Sequence, residues 1–300
     1  MGKWMKRFGG LTFISPWVIG FLVFTAFPIF YSLYLSSCHW NLISTESTFI
    51  GLHNYREIFS EDQRFWNALA VTTIFTFVTV PLGIIGSLGV ALLLNQNVPG
   101  MRVFRTIFFL PAVLSGVAYC YLWVNVFNPD FGILNVLLRP LYRYLGVSYD
   151  YLPRWIYGAK TALLSVVLMG LWGIGPGMIT YLAGLKGISP SLYEVADIDG
   201  AGPLAKFRSI TLPMLSPVTL FNMIMGIIGS FQVFTQGYVM TGGGPKDATL
   251  FYVLYVWQKA FQELQGGYAS ALAWILFLVI LAFALLTLRL TRGFIYYGGE

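Results

Sequence analysis

The chain has 300 residues, 57% of them hydrophobic and 10% charged, with 18 Lys and Arg against 12 Asp and Glu for a formal net charge of +6. An ordinary soluble domain carries roughly 25% charged residues; here whole helix-lengths carry none, which excludes a water-soluble globule and makes a bilayer the main solvent. The basic excess suits anionic lipid headgroups and calls for no nucleic acid.

A Lys, Arg or Asp at mid-membrane costs roughly 2.5–3.5 kcal/mol on insertion scales, so charge-free intervals mark the crossings. Six occur, between Arg7 and Glu46, Arg64 and Arg102, Arg105 and Asp130, Lys160 and Lys186, Arg208 and Lys246, and Glu263 and Arg289. Each exceeds the ~20 residues a helix needs to cross. Trimmed by apolarity, they predict helices at 11–36, 66–94, 106–127, 161–184, 213–236 and 268–288. The fold class is all-α, a polytopic membrane protein of about six transmembrane helices.

Lys3, Lys6 and Arg7 ahead of an apolar run superficially resemble a secretory signal, but the charge-free run is far longer than the ~7–15 residues of a signal core. It is expected to persist as the first helix, and no lipidation motif is evident. Cys38 and Cys120 sit in or beside apolar segments and read as small buried hydrophobes. His39 and His53 share one loop without an HExxH spacing, so neither metal nor cofactor is expected.

An even number of crossings puts both termini on one side. Lys3, Lys6, Arg7, Arg102, Arg105, Lys186, Lys206, Arg208, Arg289 and Arg292 fall on that side, and the other basic residues are spread over longer opposite loops. The positive-inside rule places residues 1–10 and 291–300 in the cytoplasm, with 11–290 as the membrane domain. Of the acidic residues four fall inside and eight outside, so the formal +6 resides on the cytoplasmic face.

No span holds the ionisable residue that ion-coupled carriers keep there. The chain also lacks a GxxxxGK[ST] phosphate loop, so energy for active transport must come from another subunit. A passive channel or scaffold escapes this argument. A membrane-embedded enzyme does not fit, because no HExxH or GxSxG occurs and no residue is assigned to catalysis.

The fourth and fifth spans are joined by residues 188–213, ISPSLYEVADIDGAGPLAKFRSITLP, too polar to cross. Ser189 and Pro190 can serve as N-cap and first helical residue, with a competing capping box from Ser191 and Glu194. That helix should stop at Gly200, and Gly202-Pro203 should open a second short one. Leu192, Val195, Ala196 and Ile198 are expected to pack toward the bundle, leaving Glu194, Asp197 and Asp199 for a cytoplasmic partner. By spacing alone the segment can equally be an amphipathic piece that only seats the fifth span.

This stretch resembles the EAA loop of binding-protein-dependent ABC importer permeases: EAA, three residues, Gly, nine residues, then Ile-x-Leu-Pro. Here it stands as Glu194-Val195-Ala196, Gly200, Ile210, Leu212 and Pro213, with Val195 in place of the first alanine. The longer run LYEVADIDGAGPLAKFRSITLP resembles the carbohydrate-uptake branch. So do Thr241-Gly242-Gly243-Gly244-Pro245, read from spacing as a tight extracytoplasmic turn, the later GYASA, and FNPDFGILNVLL at 127–138, all similar to the larger maltose-type permease.

The resemblance implies the type I ABC importer permease (MetI-like) fold, with the first helix outside a five-helix core at 66–288. It also implies a second homologous permease, two cytoplasmic ATPase subunits seated on the 188–213 loop, and an extracytoplasmic solute-binding protein received by loops 37–64, 129–160 and 237–267. The cargo it implies is a carbohydrate. Glycerol 3-phosphate or another polyol derivative is the rival, disfavoured because no intramembrane Arg or Lys can meet a phosphate.

A sugar site needs hydrogen bonds, flat apolar faces and room. The fourth span concentrates Gly170, Trp172, Gly173, Gly175, Pro176 and Gly177, which should kink or unwind it. The fifth carries Asn222, Gly226, Gly229, Gln232 and Gln236, of which 222, 226, 229 and 236 approximate one helical face. Glycines at such spacing also serve close helix packing, and both readings stand at this point. By resemblance, the maltose-type substrate positions fall on Met169, Trp172, Gly173, Pro176, Gly226 and Gly229. Several polar or aromatic residues expected there are missing, which implies a roomier cavity or one lined by the partner.

Overall fold

The computed structural model describes residues 13–44, 46–96 and 98–293. Lys3, Lys6 and Arg7 and most of the expected C-terminal tail lie outside the described residues. Among the described residues three helices are long and apolar enough to cross a membrane: α1 (Phe13–Ser36), α3 (Gln63–Leu94) and α13 (Gly266–Thr291). Three bent pairs bring the number of crossings to six if each pair is one span: α4–α5 (Met101–Val113 and Gly116–Val126), α7–α8 (Ala162–Trp172 and Gly175–Lys186), and α10–α11 (Pro203–Met214 and Ser216–Phe231). Short helices α2 (His53–Ser60), α6 (Ile133–Tyr144), α9 (Pro190–Ile198) and α12 (Tyr252–Trp257) lie between them. Among the described residues the strand content is one antiparallel hairpin, β1 (Cys38–Trp40) with β2 (Ser47–Phe49), in register Cys38–Phe49 and Trp40–Ser47.

The described residues pack as two compact units, 13–63 with 256–277, and 64–255 with 278–293. In the first, α1 turns Phe13, Trp17 and Phe24 outward, the pattern of a helix whose solvent is lipid. Its far end is pinned by the buried Asn54, whose Nδ2 donates to the Ser36 carbonyl at 2.8 Å and the Cys38 carbonyl at 3.1 Å. Trp274 Nε1 on α13 donates to Ser32 Oγ at 3.2 Å, and Tyr268 OH to Asp62 at 2.6 Å. Gly267 lies against the Cys38 carbonyl, where a side chain would collide with backbone.

In the second unit α3 runs through Pro81, and its last carbonyl, Leu94 O, accepts from Arg105 Nε (3.3 Å) and Nη2 (2.7 Å), a side-chain cap from the following helix. Ala91, Leu94, Met178, Tyr181, Leu182, Leu185 and Leu215 form a buried cluster joining α3, α8 and the start of α11.

The continuous third and fifth helices expected from apolarity need correction, whereas the fourth span is kinked as its breakers predict. The third is bent by 100° where Leu110–Val113 tightens around Pro111 and Ser115 restarts the chain as an N-cap. The fourth bends by 43° at Gly173-Ile174, where Pro176 cannot donate to continue a ladder. The fifth bends by 62° at Leu215, just ahead of Pro217, and its helix stops at Phe231 instead of reaching 236. Both cysteines are buried and free, as expected.

Candidate functional site

Two assemblies within the second unit carry the residues singled out from sequence. The first is the hairpin α9–α10. Ser189 is the N-cap with Pro190 first in the helix, and Ser189 Oγ lies 2.8 Å from Ser191 Oγ, so the earlier capping register prevails. Gly200 takes φ +76°, which glycine adopts without the cost a Cβ would bring. The N–H of Ala201 donates to Ala196 O at 2.8 Å and that of Gly200 to Asp197 O at 3.1 Å, closing the helix end. Gly202 then caps α10, with Pro203 at its first position.

Lys206 pairs with Asp197 across the turn, and Tyr193 OH meets Thr211 Oγ1 at 2.9 Å. Ile210 packs on the buried cluster, while Leu212 and Pro213 face a small apolar groove. Glu194 and Asp199 are exposed. The expectation that Leu192, Val195 and Ile198 pack inward is corrected, since they are 41%, 58% and 86% exposed. Ala196 turns inward as expected, and Tyr193 does so as well, where its hydroxyl bonds Thr211.

The second assembly is a cleft of about 250 Å³ between α3, the α7–α8 break and α11. Gly173, Pro176, Asn222 and Gly226 line it, as do Thr79, Ser87, Thr180's neighbour Tyr181, and Ser230. Asn222 Nδ2 donates to Thr180 Oγ1 at 2.8 Å, and the Thr180 hydroxyl donates to Gly177 O at 2.7 Å. Ser87 Oγ donates to Ile174 O at 3.2 Å, engaging a carbonyl that flanks the helix break. Thr79 Oγ1 is buried without a partner, an unmet polar demand inside the cleft.

Other predicted positions are placed differently. Met169 is buried, and its carbonyl accepts from Tyr119 OH at 2.5 Å. Trp172 stacks on Tyr119 (5.4 Å between centroids, 14°) and meets Trp123 edge-on at 5.8 Å. Gly229 is exposed on α11 without lining the cleft. Gln232 and Gln236 lie past the end of α11, so they do not continue the face of Asn222 and Gly226. Thr79, Gly83 and Ser87, a small-polar row at four-residue intervals, and Tyr119-Trp123-Phe127 at the same interval were the sequence signals for the missed lining and the aromatic ladder.

The sequence model of one family, binding-protein-dependent transport system inner membrane component, matches residues 15–295. The chain belongs to this family. The permease is 38% identical, over 97% of its own length and 93% of the other's, to the probable ABC transporter permease protein YesP of Bacillus subtilis. It is 33% identical to the trehalose/maltose transport system permease protein MalF of Thermococcus litoralis, over 94% and 93% of the two chains. Its fold matches a chain in the crystal structure of a bacterial alginate ABC transporter bound to an alginate pentasaccharide-loaded periplasmic protein. The TM-score is 0.81 at 22% identity, covering 97% of this permease and 96% of that chain. The permease is thus an inner-membrane component of binding-protein-dependent transport.

Proposed function

We propose that this permease carries a carbohydrate across the inner membrane, delivered by an extracytoplasmic binding protein and driven by ATPase subunits that grip α9 from the cytoplasm. One observation carries the reading: a surface hairpin with exposed Glu194, Val195 and Ile198 is continuous, through α10 and the bend at Leu215, with the helix that lines the cleft through Asn222 and Gly226. Exposed apolar side chains beside carboxylates suit a protein groove better than water. A second permease would complete the cleft. The trehalose/maltose relative supports a carbohydrate cargo, and an uncharged, largely apolar lining that offers the Thr79, Ser87 and Ser230 hydroxyls and the Asn222 amide accords with it. Residues 188–213 then face the cytoplasm with both termini.

The test is ATP-driven uptake in proteoliposomes holding the permease with its partner permease, ATPases and binding protein. Glu194→Lys should cut uptake at least about tenfold while insertion and subunit yield stay normal, since a desolvated charge at an interface costs several kcal/mol when reversed. Uptake that persists without ATP, or that ignores this substitution, would point to a passive channel and refute the proposal.

A further inference from the structure

Helix α6, between the third and fourth spans, begins at Ile133, seven positions after α5 ends at Val126. The short link keeps it near the membrane surface. Its inward side is fixed by buried Asn135, which donates to the carbonyls of Pro129 (2.9 Å) and Pro153 (3.2 Å) and accepts from Trp155 Nε1 at 2.7 Å. Turned away from that anchor is an apolar stripe, Ile133, Val136, Leu137, Leu141 and Tyr144, with Leu137 68% and Tyr144 88% exposed. Five tyrosines and Trp155 fall between residues 142 and 157, the aromatic enrichment of a membrane interface.

Along one edge of the stripe Arg139 and Arg143 project into a cleft of about 1040 Å³ that Arg154 and Tyr149 also line. Asp130 and Asp150 line it too, yet among the described residues none of the three guanidiniums makes an ion pair. Arg139 donates to the main-chain carbonyl of Asp130 at 2.6 Å, and the Asp150 carboxylate accepts from Ser148 Oγ at 2.9 Å. A concave surface with three guanidiniums unpaired by carboxylates, contiguous with an uncovered apolar stripe, matches a ligand that offers an anion and a hydrocarbon chain together.

We propose that α6 lies in the membrane interface and that its arginine-lined cleft binds the phosphate of an anionic phospholipid, whose acyl chains cover the Leu137–Leu141 stripe. Arginine's planar fork meets phosphate oxygens two at a time, and basic edges on interfacial helices draw anionic lipid. A protein partner with an acidic surface would use the arginines but would leave the stripe to be covered by something else.

The full-length permease, purified in mild detergent, is offered phosphatidylglycerol or phosphatidylcholine and read by native mass spectrometry. The wild type should retain phosphatidylglycerol preferentially, and the preference should fall by about tenfold in Arg139→Gln/Arg143→Gln/Arg154→Gln. Leu137→Gln/Leu141→Gln should weaken retention of both lipids. If the triple variant does not fold, Arg143→Gln and Arg154→Gln are read singly, and no loss in either overturns the proposal. Equal retention of the two lipids, or displacement of phosphatidylglycerol by millimolar inorganic phosphate, also overturns it. So does unchanged lipid retention in a variant that no longer responds to the binding protein, which would assign the cleft to that partner. Lipid retention needs neither ATP nor solute, so its failure leaves the import reading intact.

Discussion

Replacing Gly175 by alanine tests whether the break in the fourth span is set by close backbone approach. A Cβ built there lies 2.7 Å from the Phe108 carbonyl oxygen and 3.0 Å from Phe109 Cα, where ordinary van der Waals contact begins at 3.4 Å. Both neighbours are backbone in α4, so no rotamer change relieves the clash, and α4 and α8 must separate by roughly 0.7 Å. Overpacking of that kind costs about 1–3 kcal/mol. The matched control is Gly89→Ala in α3, where nothing lies within 4 Å and a helix interior gains about 0.5–1 kcal/mol from alanine. Thermal unfolding of the two variants in one detergent should move the midpoints apart, down for Gly175→Ala and level or up for Gly89→Ala. Coincident midpoints would show that α8 is not held against α4 at this spacing.

Four further substitutions follow from single contacts. Asn54→Ala leaves the Ser36 and Cys38 carbonyls without their donor and should cost about 1–3 kcal/mol, read as faster proteolysis of the 37–50 hairpin. Arg105→Gln uncaps α3 at Leu94 O and should lower the unfolding midpoint, by less than about 3 kcal/mol because the site is partly solvated. Gly200→Ala meets no atom within 4 Å, so its cost is the left-handed backbone alone, about 1–2 kcal/mol, seen as weaker coupling of ATP hydrolysis to uptake with normal yield. Asn222→Leu removes a polar group from the cleft and should lower uptake about tenfold while basal ATP hydrolysis is unchanged; equal uptake would remove α11 from the pathway.

The number of crossings was legible because charge is so costly in lipid that its absence alone outlines each segment. The bends were legible only where the breaker is local. Gly173 and Pro176 announce the kink in the fourth span, but the 100° turn at Leu114-Ser115 rests on Pro111 and a Ser115 N-cap inside a window that is apolar throughout, and an apolar window carries no such information. The hairpin's caps were readable because Ser189, Pro190, Gly200 and Gly202 act within a turn of their own backbone. Which face of α9 turns inward was not readable. Hydrophobicity nominated Leu192, Val195 and Ile198, whereas a single bond between Tyr193 and Thr211, eighteen residues apart, decides the matter. The same limit explains Gln236, whose place on the Asn222 face assumes helical spacing past the point where α11 ends.

The break in the fifth span has a mechanical consequence under the proposed function. A continuous helix from α10 into α11 would carry a push on the hairpin straight along its axis, past the cleft. The 62° bend at Leu215 would convert that push into rotation about a residue that is fully buried in the cluster joining α3, α8 and α11, against Gly184, where an added Cβ would sit 2.8 Å from the Leu215 side chain. Under that proposal Leu215 and Gly184 would form the pivot between α8 and α11, with the Lys206–Asp197 and Tyr193–Thr211 contacts bracing the hairpin on one side and Asn222 and Gly226 lying on the other. Gly184→Ala should therefore impair transport more than its stability cost suggests. A variant that retains full uptake with a lowered unfolding midpoint would show the contact to be packing alone, with the rotation centred elsewhere.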